Sequence, residues 1–186
     1  MNSQLLELRK TIEELSAEND FLRRKVAFFE QHPNVVAGIR GESLVSNLVS
    51  GIVTELNAPH DIDTKNGLRI EVKYSKLNLA NRKMTDTTKR WSWKNIFGSG
   101  GRKNYDRLIL IGEVDQRYSD KYLQPNSPYV IFDVGFDDVM KLTSLTEHRQ
   151  RLIQLSTNPA SVRSRAKSLY SDYQVTADDL TKKYGL

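Results

Sequence analysis

Between residues 5 and 29, one set of side chains returns every three or four positions without a slip: Leu5, Leu8, Ile12, Leu15, Asn19, Leu22, Val26 and Phe29. A strict 3.5-residue period belongs to a helix that supercoils on a partner, whereas a helix packed on its own domain drifts toward 3.6 with a wider apolar face. With Leu5 at position a, the d positions are Leu8, Leu15, Leu22 and Phe29, and Ile12 and Val26 fall at a. That choice favours two parallel strands, and the lone a-position Asn19 specifies register and dimer state. The flanking charges agree, since Glu18 at g faces Arg23 at the partner's next e, and Lys25 faces Glu30. Residues 1–32 are therefore expected to form a coiled-coil homodimerisation helix stopped by Pro33. The competing expectation is an amphipathic helix lying on its own domain.

Composition narrows the remainder. The chain has 186 residues, of which 38% are hydrophobic and 27% charged, enough for one cored domain beside the zipper. It has no cysteine, which excludes disulfides, thiolate metal sites and cysteine nucleophiles and makes a reducing, cytoplasmic setting the expectation. No apolar run is long enough to span a membrane, and no secretory signal is visible. The net charge of +5 is unevenly spread: residues 60–107 hold 12 basic and 5 acidic groups. Such clustering is the electrostatic footprint of a polyanion, most simply nucleic acid, although a solvated basic surface has the same composition.

After the zipper the pattern reads as α/β. A helix is expected from Gly38 to about Asn57, with Leu44, Val45, Leu48, Val49, Ile52, Val53 and Leu56 as a broad apolar stripe and Glu42 on its inward side. A hairpin follows over residues 60–74. A two-residue turn would mix apolar and charged faces. A three-residue turn closed by Gly67 pairs Ile62 with Ile70 and Asp61 with Glu71, which puts Ile62, Ile70 and Val72 on one face and Asp61, Asp63, Glu71 and Lys73 on the other. Buried strands are expected at 107–114 and 128–135, then a helix from Asp137 and a largely helical C-terminal part over 143–186. A core at 38–142 with a mixed central sheet flanked by helices is the expected architecture.

The charged hairpin face carries the chemistry. Cross-strand carboxylates with Cβ atoms about 5 Å apart repel unless a cation lies between them. Mg²⁺ suits that site, with Mn²⁺ as a substitute, because it accepts one or two carboxylates and binds phosphate oxygens. Lys73 is placed to stabilise developing phosphorane charge, and Glu42 to hold an outer-shell water or a second ion. The plainer alternative is a salt-bridged surface in which Asp61 and Glu71 surround Lys73 and Arg69.

Asp61, Glu71-Val72-Lys73 and a preceding helix bearing Gly41-Glu42 together resemble the PD-(D/E)xK nuclease superfamily, over residues 38–140. The resemblance implies a restriction-endonuclease-like sheet. It matches Asp61 and Glu71 to the two motif acids, Lys73 to the motif lysine and Glu42 to the helix acid. His60 stands where the motif has proline, and Asp63 is an alternative first acid. It implies a type II restriction endonuclease cutting double-stranded DNA as a homodimer; a homing endonuclease, a junction resolvase and a non-catalytic DNA-binding dimer are the alternatives. The stretch after the hairpin supplies candidate DNA contacts at Lys76, Arg82, Lys83, Lys89, Arg90, Trp93, Lys94, Arg102 and Lys103. Trp91 and Trp93 fit a buried face equally well.

Overall fold

A computed structural model describes residues 2–31, 33–55, 57–79, 89–146, 150–161 and 165–185. Expectations placed on Leu56, Arg82 and Lys83, and on the side chains of Leu5, Lys25, Phe29 and Glu30, fall outside the described residues. The chain divides into two compact units, 1–36 and 37–186. The first is dominated by helix α1 (Asn2–Gln31). Its described seam residues Leu8, Ile12, Leu15, Leu22 and Val26 are each at least half exposed. Asn19 accepts a hydrogen bond from Arg23 Nε one turn on, at 2.9 Å.

Helix α2 (Pro33–Val49) begins earlier and ends sooner than the apolar stripe predicts. Pro33 opens it, where a missing N–H costs nothing. It stops because Ser50 takes a left-handed φ of 50° and Gly51 closes the end by donating to the Ser46 carbonyl at 3.0 Å. A side chain at Gly51 would lie 2.6 Å from Ile62 Cγ2. Ile52 and Val53 therefore extend the sheet as an exposed edge strand instead of continuing the helix. Periodicity misses this because both residues satisfy the helical stripe, while the chain reversal at Ser50-Gly51 is decided by contact with Ile62.

The second unit contains β1 (Ile52–Val53), β2 (Ile62–Asp63), β3 (Arg69–Ser75), β4 (Asn78–Leu79), β5 (Lys89–Lys94), β6 (Arg107–Glu113), β7 (Tyr129–Gly135), α3 (Phe136–Leu142), β8 (Ser144–Leu145), β9 (Arg151–Ser156), β10 (Gln174–Val175) and α4 (Ala177–Tyr184). These make two sheets. One has the order β1-β2-β3-β6-β7-β10 and is mixed, with β3 and β6 parallel and its other pairs antiparallel. The other has the order β4-β5-β9-β8 and is antiparallel. The protein is thus mixed α/β, a mixed sheet with flanking helices and an N-terminal helix.

Alternation along β6 and β7 sorts the core. Ile109, Ile111 and Ile131 join Val45 and Val49 of α2 and Leu180 of α4 on one face. Leu108, Leu110, Phe132 and Val134 join Trp91 and Trp93 of β5 and Ile153 and Leu155 of β9 on the other. Gly41 lets α2 approach closely, since a Cβ there would lie 3.2 Å from the Tyr74 Cβ. Gly112 admits Trp91 in the same way, with an added Cβ only 2.4 Å from the indole.

Two expectations are refined here. Among the described residues of 143–186 the short helices at Pro159–Ser161, Arg165–Lys167 and Leu169–Tyr173 and α4 with its Thr176–Asp179 capping box are joined by a strand the periodicity did not predict: β9 pairs residue for residue with β5. The reason is that Ile153 and Leu155 alternate with Gln154, a period of two that seats them opposite Trp93 and Trp91. Trp93, assigned to DNA, is buried, and its indole donates to the Ile111 carbonyl at 2.9 Å. Among the described residues no helix is long and apolar enough to cross a membrane.

Candidate active site

The hairpin forms with the apolar-separating register. Ile62 opposes Ile70, Thr64 pairs with Leu68 across Lys65-Asn66-Gly67, and Gly67 takes a φ of 76°. Because β2 is only two residues long, β3 loses its backbone partner on that side beyond Ile70. The Asp61 carboxylate fills the gap, its Oδ2 accepting the Val72 N–H at 2.8 Å. Asp61 is thereby fixed by the sheet edge with Oδ1 directed at the face that carries Glu71.

Glu71 is fully buried, while Lys73 and Lys103 each keep about a fifth of their side-chain surface exposed. Lys73 Nζ donates to Glu71 Oε1 at 2.5 Å. Lys103 Nζ stands 3.0 Å from Asp61 Oδ1 and 2.9 Å from Glu71 Oε2. Asp61 and Glu71 thus share one ammonium. The same ammonium donates to Asp61 Oδ1 and lies within ion-pair distance of Glu71 Oε2, so it is the one cation that this buried oxygen meets among the described residues.

The electrostatics follow from this crowding. Burial raises the Glu71 carboxyl above the ordinary carboxylate range, and the Asp61 charge adds to it, while Lys73 and Lys103 pull the other way. Glu42 is raised for the same first reason, burial, and by the Asp61 and Glu71 charges. For Lys103 burial works against the charged form, but the contacts with Glu71 and Asp61 outweigh it and hold the ammonium above its usual range. Beside this group opens a cleft of about 470 Å³, lined by Glu42, Asp61, Asn57, Asn95, Arg102 and Lys103 among others. Asn57 and Asn95 both have positive φ, 76° and 57°, conformations that Asn tolerates better than most residues.

The structure therefore brings Asp61, Glu71 and Lys73 together and turns Glu42 toward them. Asp63 instead accepts or shares a hydrogen bond with His60 Nε2 at 2.7 Å. Arg69 leaves the acid cluster and clamps Asp106 with two side-chain bonds, of 3.0 and 2.7 Å. Of the described candidate DNA contacts, Lys76, Lys94 and Arg102 are exposed, and Lys89 and Arg90 half-buried. Lys103 belongs to the acid cluster itself. The sequence placed it only among the basic residues after the hairpin, since nothing in spacing ties residue 103 to residues 61 and 71.

The donor set fits a hard divalent ion: two carboxylate oxygens that meet at one cation position are what Mg²⁺ uses together with waters. Among the described residues no set of three or more His, Asp or Glu side chains is gathered tightly enough to hold an ion by itself. Glu42 is accordingly an outer member of the group. No protein-family model matches the chain, and comparison with curated proteins finds no significant relative.

Proposed function

We propose that the protein is a magnesium-dependent endonuclease that hydrolyses phosphodiester bonds of double-stranded DNA as a homodimer, with a restriction-endonuclease-like core of the PD-(D/E)xK kind. The observation that carries this reading is the meeting of Asp61 Oδ1 and the buried Glu71 Oε2 at a single cation position beside the cleft. Acids crowded together under burial, so that Glu71 and Glu42 are both raised, are costly for a purely structural site and are expected where an ion or substrate completes it.

A magnesium ion held by Asp61 and Glu71 supplies the Lewis-acid charge that a phosphodiester needs during hydrolysis. Lys73 holds Glu71 Oε1 in place and brings a positive charge to the phosphate side. Arg102, exposed at the cleft, and Lys94 and Lys76 nearby in sequence supply phosphate contacts. The zipper supports two active sites related by a twofold axis, one for each strand of a palindromic site.

The test is digestion of a long mixed-sequence DNA. Discrete fragments are expected with Mg²⁺ or Mn²⁺ and none with Ca²⁺, and DNA binding should weaken steeply with salt. A smear indicates a nonspecific nuclease. Retained, salt-sensitive DNA binding with no cleavage under any divalent ion would make the protein a binding dimer.

A further inference from the structure

We propose that the Lys103 ammonium is the removable occupant of the metal position: it holds Asp61 and Glu71 together in the metal-free protein and yields its place when Mg²⁺ binds. This rests on the magnesium reading above and deepens it by assigning a metal-gating role to a residue outside the motif.

The geometry requires the exchange. The two oxygens Lys103 touches, Asp61 Oδ1 at 3.0 Å and Glu71 Oε2 at 2.9 Å, are those that would hold Mg²⁺. Ammonium and dication cannot occupy the same point. The two lysines are also held differently. Lys73 donates to Glu71 Oε1 alone, whereas the Lys103 ammonium is divided between two acids, donating to Asp61 Oδ1 and lying 2.9 Å from Glu71 Oε2.

The residue is built so that its side chain can leave while its backbone stays. Lys103 N–H donates to the Phe97 carbonyl at 3.1 Å, and the next residue, Asn104, donates to Pro59 at 2.8 Å. Gly98 makes room for the lysine stem, since a Cβ there would lie 2.8 Å from Lys103 Cγ. Gly98, Gly100 and Gly101 all have φ near 70°, so the turn that presents Lys103 depends on glycine. The stem has four flexible carbons, and Lys103 lines the 470 Å³ cleft. Rotation about the stem carries the ammonium from the acids into that cleft, to the side from which a DNA phosphate would approach. Vacating the position leaves Asp61, Glu71 and Glu42 against Lys73 alone, a net charge that favours a dication.

Mn²⁺ binding to the full-length chain, without DNA, tests this by titration calorimetry on the wild type, Lys103→Met, Lys103→Arg and Glu71→Gln. Lys103→Met should bind Mn²⁺ at least about tenfold more tightly than the wild type, because its acids no longer start occupied. Lys103→Arg should stay near the wild type, and Glu71→Gln should lose binding. A second measurement needs no variant at residue 103: reductive methylation of the wild-type protein, read by peptide mass, should modify Lys103 faster at saturating Mg²⁺ and leave the exposed Lys182 unchanged. If the wild type binds Mn²⁺ but Lys103→Met binds no tighter, or if Lys103 labelling ignores a saturating ion, the gating role is overturned and the magnesium site stands. If neither wild type nor Lys103→Met binds Mn²⁺ at millimolar concentration, both are overturned.

Discussion

Two buried carboxylates in this protein each face a pair of cationic side chains, and they are finished in different ways. Asp133 on β7 spends both oxygens inside the chain. Arg107 Nε donates to Oδ1 at 2.8 Å, and Lys183 Nζ and Tyr184 Oη donate to Oδ2 at 2.8 and 2.9 Å. Glu71 on β3 is as deeply buried, yet Lys73 alone is its own, and its second oxygen shares the Lys103 ammonium with Asp61 beside a cleft. The first arrangement ties α4 to the sheet and has no acceptor left. The second shares one cation between two acids at a place that solvent and ligands can reach. Burial of an acid therefore says little about its role; the bonding of each oxygen says more.

That contrast can be broken most sharply at Glu71. Glu71→Gln should lower DNA cleavage by roughly 10³-fold or more while leaving DNA affinity within a few-fold, measured by cleavage rate and filter binding. Its thermal midpoint should change little, because Lys103 keeps Asp61 as a partner and Glu42 remains beside the two lysines. Asp133→Asn should do the reverse. It leaves Arg107 and Lys183 facing a neutral group and should cost about 3 kcal/mol in denaturant unfolding. Equal stability losses at the two positions would erase the distinction.

Asp115 provides a smaller, pH-dependent check on what a saturated acid does. Arg117 hydrogen bonds, opposed by burial and aided by Thr157, lower its carboxyl from 3.8 to about 2. A depressed pKa means that the stabilisation is present above the unfolded value and is lost as pH falls through the folded one. Unfolding followed between pH 5 and pH 2 should therefore show about 2 kcal/mol lost over that window, and Asp115→Asn should flatten that part of the profile. An unchanged profile would mean that Asp115 is not held by these bonds. The smallest expected effect on the site itself comes from the zipper: Asn19→Leu should change the oligomeric state seen by sedimentation and leave the isolated chemistry of Glu71 untouched. A monomer before and after the substitution would remove the coiled-coil reading.

Some of this organisation was legible in the residues alone. The Asn66-Gly67 turn, the apolar Ile62, Ile70 and Val72 and the charged Asp61, Glu71 and Lys73 admit only one register that separates their faces, and the hairpin adopts it. The continuous apolar runs around Leu108–Ile111 and Val130–Phe132 became central strands. Trp93 was less legible, because an aromatic at alternate spacing looks the same whether it stacks on a ligand or on Ile153 and Phe132. The end of α2 and the strand at Arg151–Ser156 were not legible, since Ile52, Val53 and Leu152 satisfy helical and extended patterns alike.

Local rules, then, determined the elements whose neighbours lie close in sequence: the 3.5-residue seam of α1, the Gly67 turn, the capping box at Thr176 and the side on which each hairpin charge stands. Tertiary structure alone decided which distant groups complete them. It brought Lys103 to residues 32 and 42 positions earlier in the chain, sent Arg69 to Asp106 rather than to the acids, and closed Asp133 with residues from the C-terminal helix. The physical reason is range. Periodicity and turn chemistry act over a few residues, whereas an ammonium settles wherever the folded chain places two carboxylates within about 3 Å.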